Sequence, residues 1–248
     1  MSEVSADRQW GAFTADGPWV LNCGDIRWAS LAPILRADAR ADVPRLTKPS
    51  RVPPGPRVLT VTRRIGGALA PWYVRKRRGR YADPTESRAD LSLRLRRAVE
   101  ILGPTYIKLG QIISSGEGLF PSELVDQFKM CRDQVPAEPF ATVRLTVEQD
   151  LGARLEDMFE WFDEKALAAA SIAQVHAARL RTGEDVVVKV QRPRVAELVR
   201  KDLRVMSYIA PHLVGRIPIA ALATPPALVE LFAETIVEEL DFRLEAAN

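Results

Sequence analysis

The sequence has 248 residues, which is long enough for one large domain or two small ones with a buried core. Apolar residues make up 47% and charged residues 27%, so the composition excludes a wholly disordered chain and a collagen-like or coiled-coil fibre. The net charge is only +3, but residues 43–97 hold 15 Lys or Arg against three acidic residues, so that span carries +12 and the rest of the chain −9.

The N-terminal part of the chain predicts two regions of different character. Residues 1–57 predict a poorly ordered region that ends in a Pro/Arg-rich linker, and residues 58–152 predict a basic helical extension. Within the extension, residues 63–80 interleave Trp72 and Tyr73 with basic side chains. Such a segment is typical of a solvated basic helix face, of a segment on an anionic membrane surface, or of a contact to nucleic-acid phosphates, and we rank nucleic acid last.

Hydrophobic periodicity predicts helices on both sides of a small sheet. Apolar residues three or four apart predict a helix that Gly103-Pro104 ends. Residues 159–193 predict two or three strands, with a turn at residues 182–184. Helices, a small antiparallel sheet and further helices make an α+β arrangement, with the third region at residues 153–248. The predicted helices are at residues 87–102, 105–114, 121–131, 139–152, 194–213 and 226–247.

The motifs of several common chemistries do not occur in the sequence. It contains no GxGxxG, GxxxxGK[ST], GxSxG or HExxH. Its two histidines, His176 and His212, lie in no metal-ligand or triad pattern, and its two cysteines lie in no metal spacing. We therefore assign no catalytic and no metal-ligating residue. The cysteine content favours a reducing cytoplasmic compartment, and we find neither a secretory signal nor an apolar run of about 18 residues.

A run of small residues between two predicted strands precedes Lys189, which lies within VVVKV. In a nucleotide-binding lobe, small side chains let the backbone approach phosphates, a strand lysine neutralises them, and a helix carboxylate holds that lysine. A surface lysine and a packed alanine run explain the same residues, so composition alone leaves both interpretations open. The small residues are Ala168, Ala169, Ala170 and Ser171, and the carboxylates available on the last predicted helix are Glu234, Glu238, Glu239, Asp241 and Glu245.

Four segments, in order, resemble the ABC1/AarF/UbiB (ADCK/COQ8-like) family of atypical protein-kinase-like proteins. The resemblance covers about residues 60–248. It implies a helical extension followed by a kinase-like N-terminal lobe, ATP as the bound nucleotide, and a role in regulating isoprenoid-quinone (ubiquinone) or lipid metabolism. The segments are LGPTYIKLGQ (102–111), DEKALAAASIAQVHAARL (163–180), VVVKVQRP (186–193) and ELDFRLEAAN (239–248).

The resemblance also implies roles for individual residues. The KxGQ motif falls on Lys108, Gly110 and Gln111, on a helix that in the family crosses and restrains the nucleotide site. The alanine-rich loop, which replaces the glycine-rich loop of other kinases, falls on Ala168–Ser171. The lysine that contacts phosphate is Lys189.

The acidic motif of the family, ExD, falls on Glu239 and Asp241, which we expect to face the KxGQ helix. We favour Glu245 as the partner of Lys189, with Glu239 as the alternative, because helical spacing does not decide between them. A buried lysine without such a partner would be costly.

A kinase-like active site also needs a catalytic-loop Asp and metal-binding Asn and Asp residues. The sequence contains no HxDxxxxN, and Asp241-Phe242-Arg243 is part of the ExD segment rather than a metal-binding DFG. In the family these residues lie in a C-terminal lobe, which we expect to be absent here. We therefore expect a truncated, catalytically incomplete member that binds ATP, with Mg²⁺ only when a C-terminal lobe is present.

Two partners and one alternative function follow from that expectation. A partner chain that carries a C-terminal lobe would complete the enzyme, and an anionic membrane surface would bind residues 63–80. The alternative is a non-catalytic module that binds a membrane surface or another protein. The expected location is the cytoplasm, or the periphery of the inner face of the membrane.

Overall fold

The structure is a computed structural model, and it describes residues 31–131, 136–215 and 224–246. Helices come first along the chain, a four-stranded sheet follows, and helices end it, as the α+β prediction requires. The first helices are α1 (Ala32–Ala41), α2 (Val43–Thr47), α3 (Arg57–Arg77), α4 (Pro84–Leu102), α5 (Pro104–Ser114), α6 (Ser122–Lys129), α7 (Phe140–Leu151) and α8 (Leu155–Met158). The strands are β1 (Phe159–Phe162), β2 (Ala168–Ala169), β3 (Ala173–Leu180) and β4 (Asp185–Gln191). The last helices are α9 (Val195–Ile209), a 3₁₀ helix (Ala210–Leu213), α10 (Pro225–Glu239) and α11 (Phe242–Ala246).

Helices α1 and α2 lie in the region that the sequence predicts to be poorly ordered, so that prediction is corrected for residues 31–47. Leu35, Val43 and Leu46 are buried, α1 packs on α10 and α11, and α2 packs on α9 and α10. The Ser207 hydroxyl donates to the Leu46 carbonyl at 3.1 Å. Both helices are short, so tertiary contacts rather than local propensity stabilise them, and sequence periodicity does not reveal them. Residues 1–30 of the predicted region lie outside the described residues.

Helices α3 and α4 form a hairpin, and local contacts show why α4 begins and ends where it does. Asp83 accepts a hydrogen bond from the Glu86 amide at 2.8 Å and so caps the start of α4. The Trp72 indole donates to the Ser87 carbonyl at 3.0 Å and joins the two helices. Gly103, at φ 100°, ends α4 where the sequence predicts, because glycine tolerates this backbone conformation. Among the described residues, no helix has the length and hydropathy that a membrane span needs.

Strand β3 is central, and its neighbours β1, β2 and β4 all run antiparallel to it. The sequence predicts two or three strands; the fourth is the two-residue β2, too short for an alternating pattern to reveal. The turn between β3 and β4 holds Gly183 at φ 102°, as expected. His176 of β3 is buried, with Nδ1 2.8 Å from the Asp163 carbonyl and Nε2 2.8 Å from the Gln174 amide. These contacts agree with the structural role expected for it.

The predicted helix at residues 226–247 is broken at Leu240 and Asp241, which is a second correction. Asp241 starts α11, because its carboxylate accepts from the Arg243 amide at 3.1 Å and its carbonyl accepts from the Leu244 amide at 2.9 Å. Asp favours such helix starts over helix interiors. The Gln191 side chain donates to the Leu240 carbonyl at 2.8 Å, which fixes the break against β4. Residues 247–248 lie outside the described residues.

Two hydrophobic clusters form the core. The larger one joins residues of α2 to α6, α9 and α10, and it includes Leu203, Phe232 and Ile236. The smaller one lies between the sheet and α7, and it includes Val143 and Val190. At the base of the larger cluster, Arg57 donates from Nε to Asp202 Oδ1 at 2.7 Å and from Nη2 to the Leu102 carbonyl at 2.7 Å. This ion pair fixes α3 to α4 and α9.

Asp202 is fully buried, and burial raises the pKa of its carboxyl although the Arg57 hydrogen bond opposes that change. We expect Arg57→Gln to lower the free energy of unfolding by about 3 kcal/mol at pH 7, because it leaves a buried charge without its partner. The loss should shrink as the pH falls through the raised pKa, since the folded state then binds a proton that the unfolded state does not yet bind. Urea unfolding at pH 7 and pH 5 measures both effects.

The matched control is Arg204→Gln on the exposed face of α9, which should change the free energy of unfolding by less than about 0.5 kcal/mol. Adding Asp202→Asn to Arg57→Gln should restore part of the lost stability. An equal loss at both pH values would contradict the electrostatic origin of the effect.

Candidate functional site

A cleft of about 490 Å³ lies where the sheet meets α5, α10 and α11, and the end of α1 closes one side of it. The turn between β2 and β3 and the first residue of β3 form one wall, where three of four side chains are small. Three cations and three carboxylates line the cleft, so the formal charge of its lining is balanced. The charged residues are Arg40, Lys108, Lys189, Glu238, Glu239 and Glu245, and the wall residues are Ala170, Ser171, Ile172 and Ala173.

Lys189 lies on β4 opposite Val175 and reaches the cleft from the sheet. Its Nζ is 2.6 Å from Oε1 and 2.5 Å from Oε2 of Glu245, and it lies 4.8 Å from the centre of the Phe242 ring. Glu245 is the partner that we favour from the sequence, and Glu239, the alternative, is not the residue that Lys189 contacts. The break between α10 and α11 makes this contact, because it redirects the chain after Glu239 toward β4.

Lys108 reaches the same cleft from α5, and its Nζ is 2.6 Å from Oε1 of Glu239 on α10. Glu239 thus faces the KxGQ helix as expected, but Asp241 does not, which corrects the expectation for that residue. Asp241 accepts hydrogen bonds from Nε of Arg243 at 2.9 Å and from Nη2 at 2.7 Å. These bonds hold the pKa of the Asp241 carboxyl below its usual value.

The other two residues of the KxGQ motif do not line the cleft. Gly110 is buried, and a Cβ atom placed there would lie 3.5 Å from Cys131 Sγ and 3.5 Å from Phe128 Cδ1. These are ordinary van der Waals distances, so Gly110 lies in the contact between α5 and α6, but that contact has room for a Cβ atom. The backbone carbonyl of Gln111 accepts a hydrogen bond from the Ser114 hydroxyl at 2.6 Å near the end of α5. In this structure Lys108 is the motif residue that reaches the cleft, and the roles predicted for Gly110 and Gln111 stay predictions.

The alanine-rich segment is divided between a strand and a turn. Ala168 and Ala169 form β2 and pair with β3, so they are not part of the predicted loop. Ala170 and Ser171 line the cleft, and the Ala170 amide donates to the Ala173 carbonyl at 2.8 Å, which closes a tight turn. The first two residues of the segment thus extend the sheet, and the turn begins after them.

Arg192 supports this turn, and the sequence alone did not single it out. Its guanidinium donates to the Ala170 carbonyl at 2.9 Å, to the Pro136 carbonyl at 2.8 Å and to Oε1 of Glu138 at 2.8 Å. The residue is buried, with 7% of its surface exposed. Its place in VVVKVQRP, directly after an apolar strand sequence, was the available signal, since an arginine that becomes buried there needs several acceptors.

Two further residues contribute to the site. Glu238 is among the carboxylates that the last predicted helix offers, whereas nothing in the sequence indicates Arg40. Arg40 comes from α1, for which no element was predicted, and Glu238 of α10 pairs with it. Neither lies in a motif, and their meeting depends on the packing of α1 against α10. Within the described ranges, no three His, Cys, Asp or Glu side chains cluster as a metal site.

Similar proteins are found for most of the chain. Residues 130–248 match the family model of the ABC1 atypical kinase-like domain. The chain is 40% identical over 183 residues to "Probable protein kinase UbiB" of Pseudomonas putida (strain W619), which covers 72% of this chain and 34% of that protein. Proteins of the same name show 39% identity over 181 residues in Aeromonas salmonicida (strain A449; 72% and 33%) and 38% over 191 residues in Serratia proteamaculans (strain 568; 77% and 34%). The chain spans about a third of the length of these relatives.

A small antiparallel sheet that presents Lys189 to a glutamate on a following helix is the arrangement of a kinase-like N-terminal lobe. The helices α3 to α6 that precede this lobe form its extension. The chain belongs to the ABC1/AarF/UbiB family of atypical protein-kinase-like proteins.

We expect Arg192→Met to lower the free energy of unfolding by about 2–3 kcal/mol, because the substitution leaves the acceptors around the Ala170 turn without their donor. Urea unfolding of the full chain measures the change. The control is Lys189→Met, which should cost less than about 1 kcal/mol because the Lys189–Glu245 pair is partly exposed. Equal losses for the two variants would contradict the supporting role of Arg192.

Proposed function

We propose that the cleft binds the phosphate groups of ATP and that the chain is the nucleotide-binding lobe of a UbiB-type atypical kinase. The observation that carries this proposal is the contact of Lys189 with Glu245 beside a turn of small residues. In kinase-like lobes, such a lysine contacts phosphates and such a glutamate holds it in place. We propose further, from the family resemblance, that this lobe takes part in regulating isoprenoid-quinone or lipid metabolism.

The cleft has the size and the donors that this ligand needs. Its volume of about 490 Å³ lies within the range of roughly 300–1,000 Å³ that small-molecule sites occupy. Lys189 enters from β4 and Lys108 from α5, and both are partly exposed, with 39% and 24% of their side chains accessible. Ala170 and Ser171 leave space for a ligand beside the backbone. These features support a phosphate-bearing ligand, with Lys189 as its principal contact.

A phosphate that binds in this cleft replaces an existing partner of each lysine, because the lining of the cleft has no net positive charge. Each lysine already contacts a glutamate, so a phosphate must compete with Glu245 for Lys189 and with Glu239 for Lys108. Because Lys108 belongs to the α5 helix of the extension, its release from Glu239 would loosen the contact between α5 and α10. We propose that the extension thereby restrains entry to the nucleotide site.

The test is calorimetric titration of ATP into the full 248-residue chain and its variants. Lys189→Met should weaken ATP binding by at least about 10-fold, because a charge-assisted contact to phosphate is lost. The control Lys201→Met removes a lysine that has a similar ion pair, to Glu197, on α9. The control should bind ATP as the unchanged chain does.

Equal affinity of the Lys189→Met variant and the unchanged chain would contradict the proposed site. We propose in addition that the 248 residues alone do not hydrolyse ATP and that a chain with a C-terminal lobe would have to supply that chemistry. Mg²⁺-dependent phosphate release by the purified chain, abolished by Lys189→Met, would contradict this second part.

A second candidate function rests on a different surface. A groove of about 380 Å³ lies between α3 and α4, and within the described part of the chain four arginines and no carboxylate line it. Ile101 of α4 also lines the groove and is 61% exposed. Basic residues beside exposed apolar ones suit an anionic membrane surface better than the phosphates of nucleic acid. We propose that this surface binds anionic lipid; the arginines are Arg63, Arg64, Arg94 and Arg97.

The test is cosedimentation with phosphatidylcholine vesicles that contain or lack phosphatidylglycerol. Replacing Arg63, Arg64 and Arg97 with Gln should weaken binding to the anionic vesicles by roughly 100-fold, since each cation near the surface contributes about 1 kcal/mol. The control replaces three other exposed cations with Gln, namely Lys129, Arg154 and Lys201. Equal losses for the two triple variants would contradict a specific surface.

A further inference from the structure

The end of α1 brings an arginine into the cleft that no motif identifies. Arg40 lines the cleft with Lys108 and Lys189. Its Nε contacts Oε1 of Glu238, and its Nη1 lies 3.3 Å from Oε2 of Glu234. The Arg40 side chain is 45% exposed, so a ligand in the cleft can reach the guanidinium.

Arg36 lies one turn earlier on α1 and contacts the same glutamate as Arg40, but it does not line the cleft. Its Nε is 3.3 Å from Oε2 of Glu238, so both arginines contact the same carboxylate. Arg36 is not among the residues that line the cleft. If Arg40 turned toward a ligand, Glu238 would keep Arg36 as its partner. The exchange would therefore not leave this carboxylate without a cation.

The charge of the cleft is a second reason to assign Arg40 to the ligand site. Its lining holds three cations and three carboxylates, so removal of Arg40 would leave a net charge of −1 facing a ligand that is itself an anion. A guanidinium also presents a planar set of N–H donors that matches phosphate oxygens, which the ammonium groups of Lys108 and Lys189 do not.

We propose that Arg40 is a third phosphate-binding residue of the cleft and that α1 is consequently part of the ligand site. The inference rests on the proposed function in one point, which is that the natural ligand is a nucleotide. Arg40 contacts the phosphate groups beyond the first, and Arg36 holds Glu238 while it does so. The contribution of Arg40 to affinity therefore grows with the number of phosphates in the ligand.

The test is titration of the full chain with ATP, ADP, AMP and inorganic tripolyphosphate. Arg40→Gln should weaken the binding of ATP and of tripolyphosphate by about 10-fold, ADP by less, and AMP by no more than about 2-fold. The control Arg45→Gln removes an exposed arginine of the neighbouring helix α2 that does not line the cleft, and it should change each affinity by no more than about 2-fold. Arg40→Lys should recover part of the loss, because it keeps the charge but not the planar set of donors.

The outcomes separate the inference from the proposed function. A loss that is the same for ATP and AMP would show that Arg40 only docks α1, and a loss that is the same in the Arg45→Gln and Arg40→Gln variants would show that the effect is not specific to the cleft. Either result would overturn the inference. Arg40-dependent binding of tripolyphosphate without binding of ATP would support the inference and contradict the nucleotide function. Lys189-dependent binding of ATP that Arg40→Gln leaves unchanged would support the nucleotide function and contradict the inference. A chain that binds neither ATP nor tripolyphosphate would contradict both. Circular dichroism of each variant checks that the helices are retained.

Discussion

The hydrogen bond from the Gln191 side chain to the Leu240 carbonyl is the contact on which the arrangement of the cleft depends. It holds the end of α10 against β4, two residues from Lys189, and it satisfies a carbonyl that the helix break would otherwise leave without a partner. Because the break is fixed there, Glu239 stays on the side of α5 and Glu245 crosses to the side of the sheet. This side-chain amide and the Asp241 cap thus together place each glutamate beside its own lysine.

Much of the site could be predicted from the sequence, and the residues that could not share a physical cause. Lys189 and Glu245 stand in motifs, and Gly103 ends a helix through its own backbone preference, so local sequence identifies all three. Arg40 enters the cleft only because short helices pack against a distant one, and such packing leaves no periodic signal. For Asp241, the sequence motif led to a wrong prediction rather than to none. Its motif suggested a contact with α5, but a carboxylate at a helix start finds its nearest donors in its own next turn.

The balanced charge of the cleft affects how the site is maintained without a ligand. Lys108, Lys189 and Arg40 each contact a carboxylate on α10 or α11, so these two helices hold the cations from three separate elements in one place. These pairs are partly exposed, and exposed pairs contribute little to the stability of the fold. Their value lies in orientation, because they keep long, flexible side chains directed into the cleft at a small cost in free energy. The buried pair of Arg57 and Asp202 has the complementary role of fixing the extension to the lobe.

The two hydrophobic clusters meet along β3. Ala173, at the start of this strand, belongs to the helical cluster, whereas Ala178, five residues later, belongs to the cluster beneath α7. The base of the sheet is therefore held among the helices, while its far end packs on α7. Lys189 pairs with Val175, between the two clusters, so the lysine that reaches the cleft lies on the sheet at the boundary between the two parts of the core.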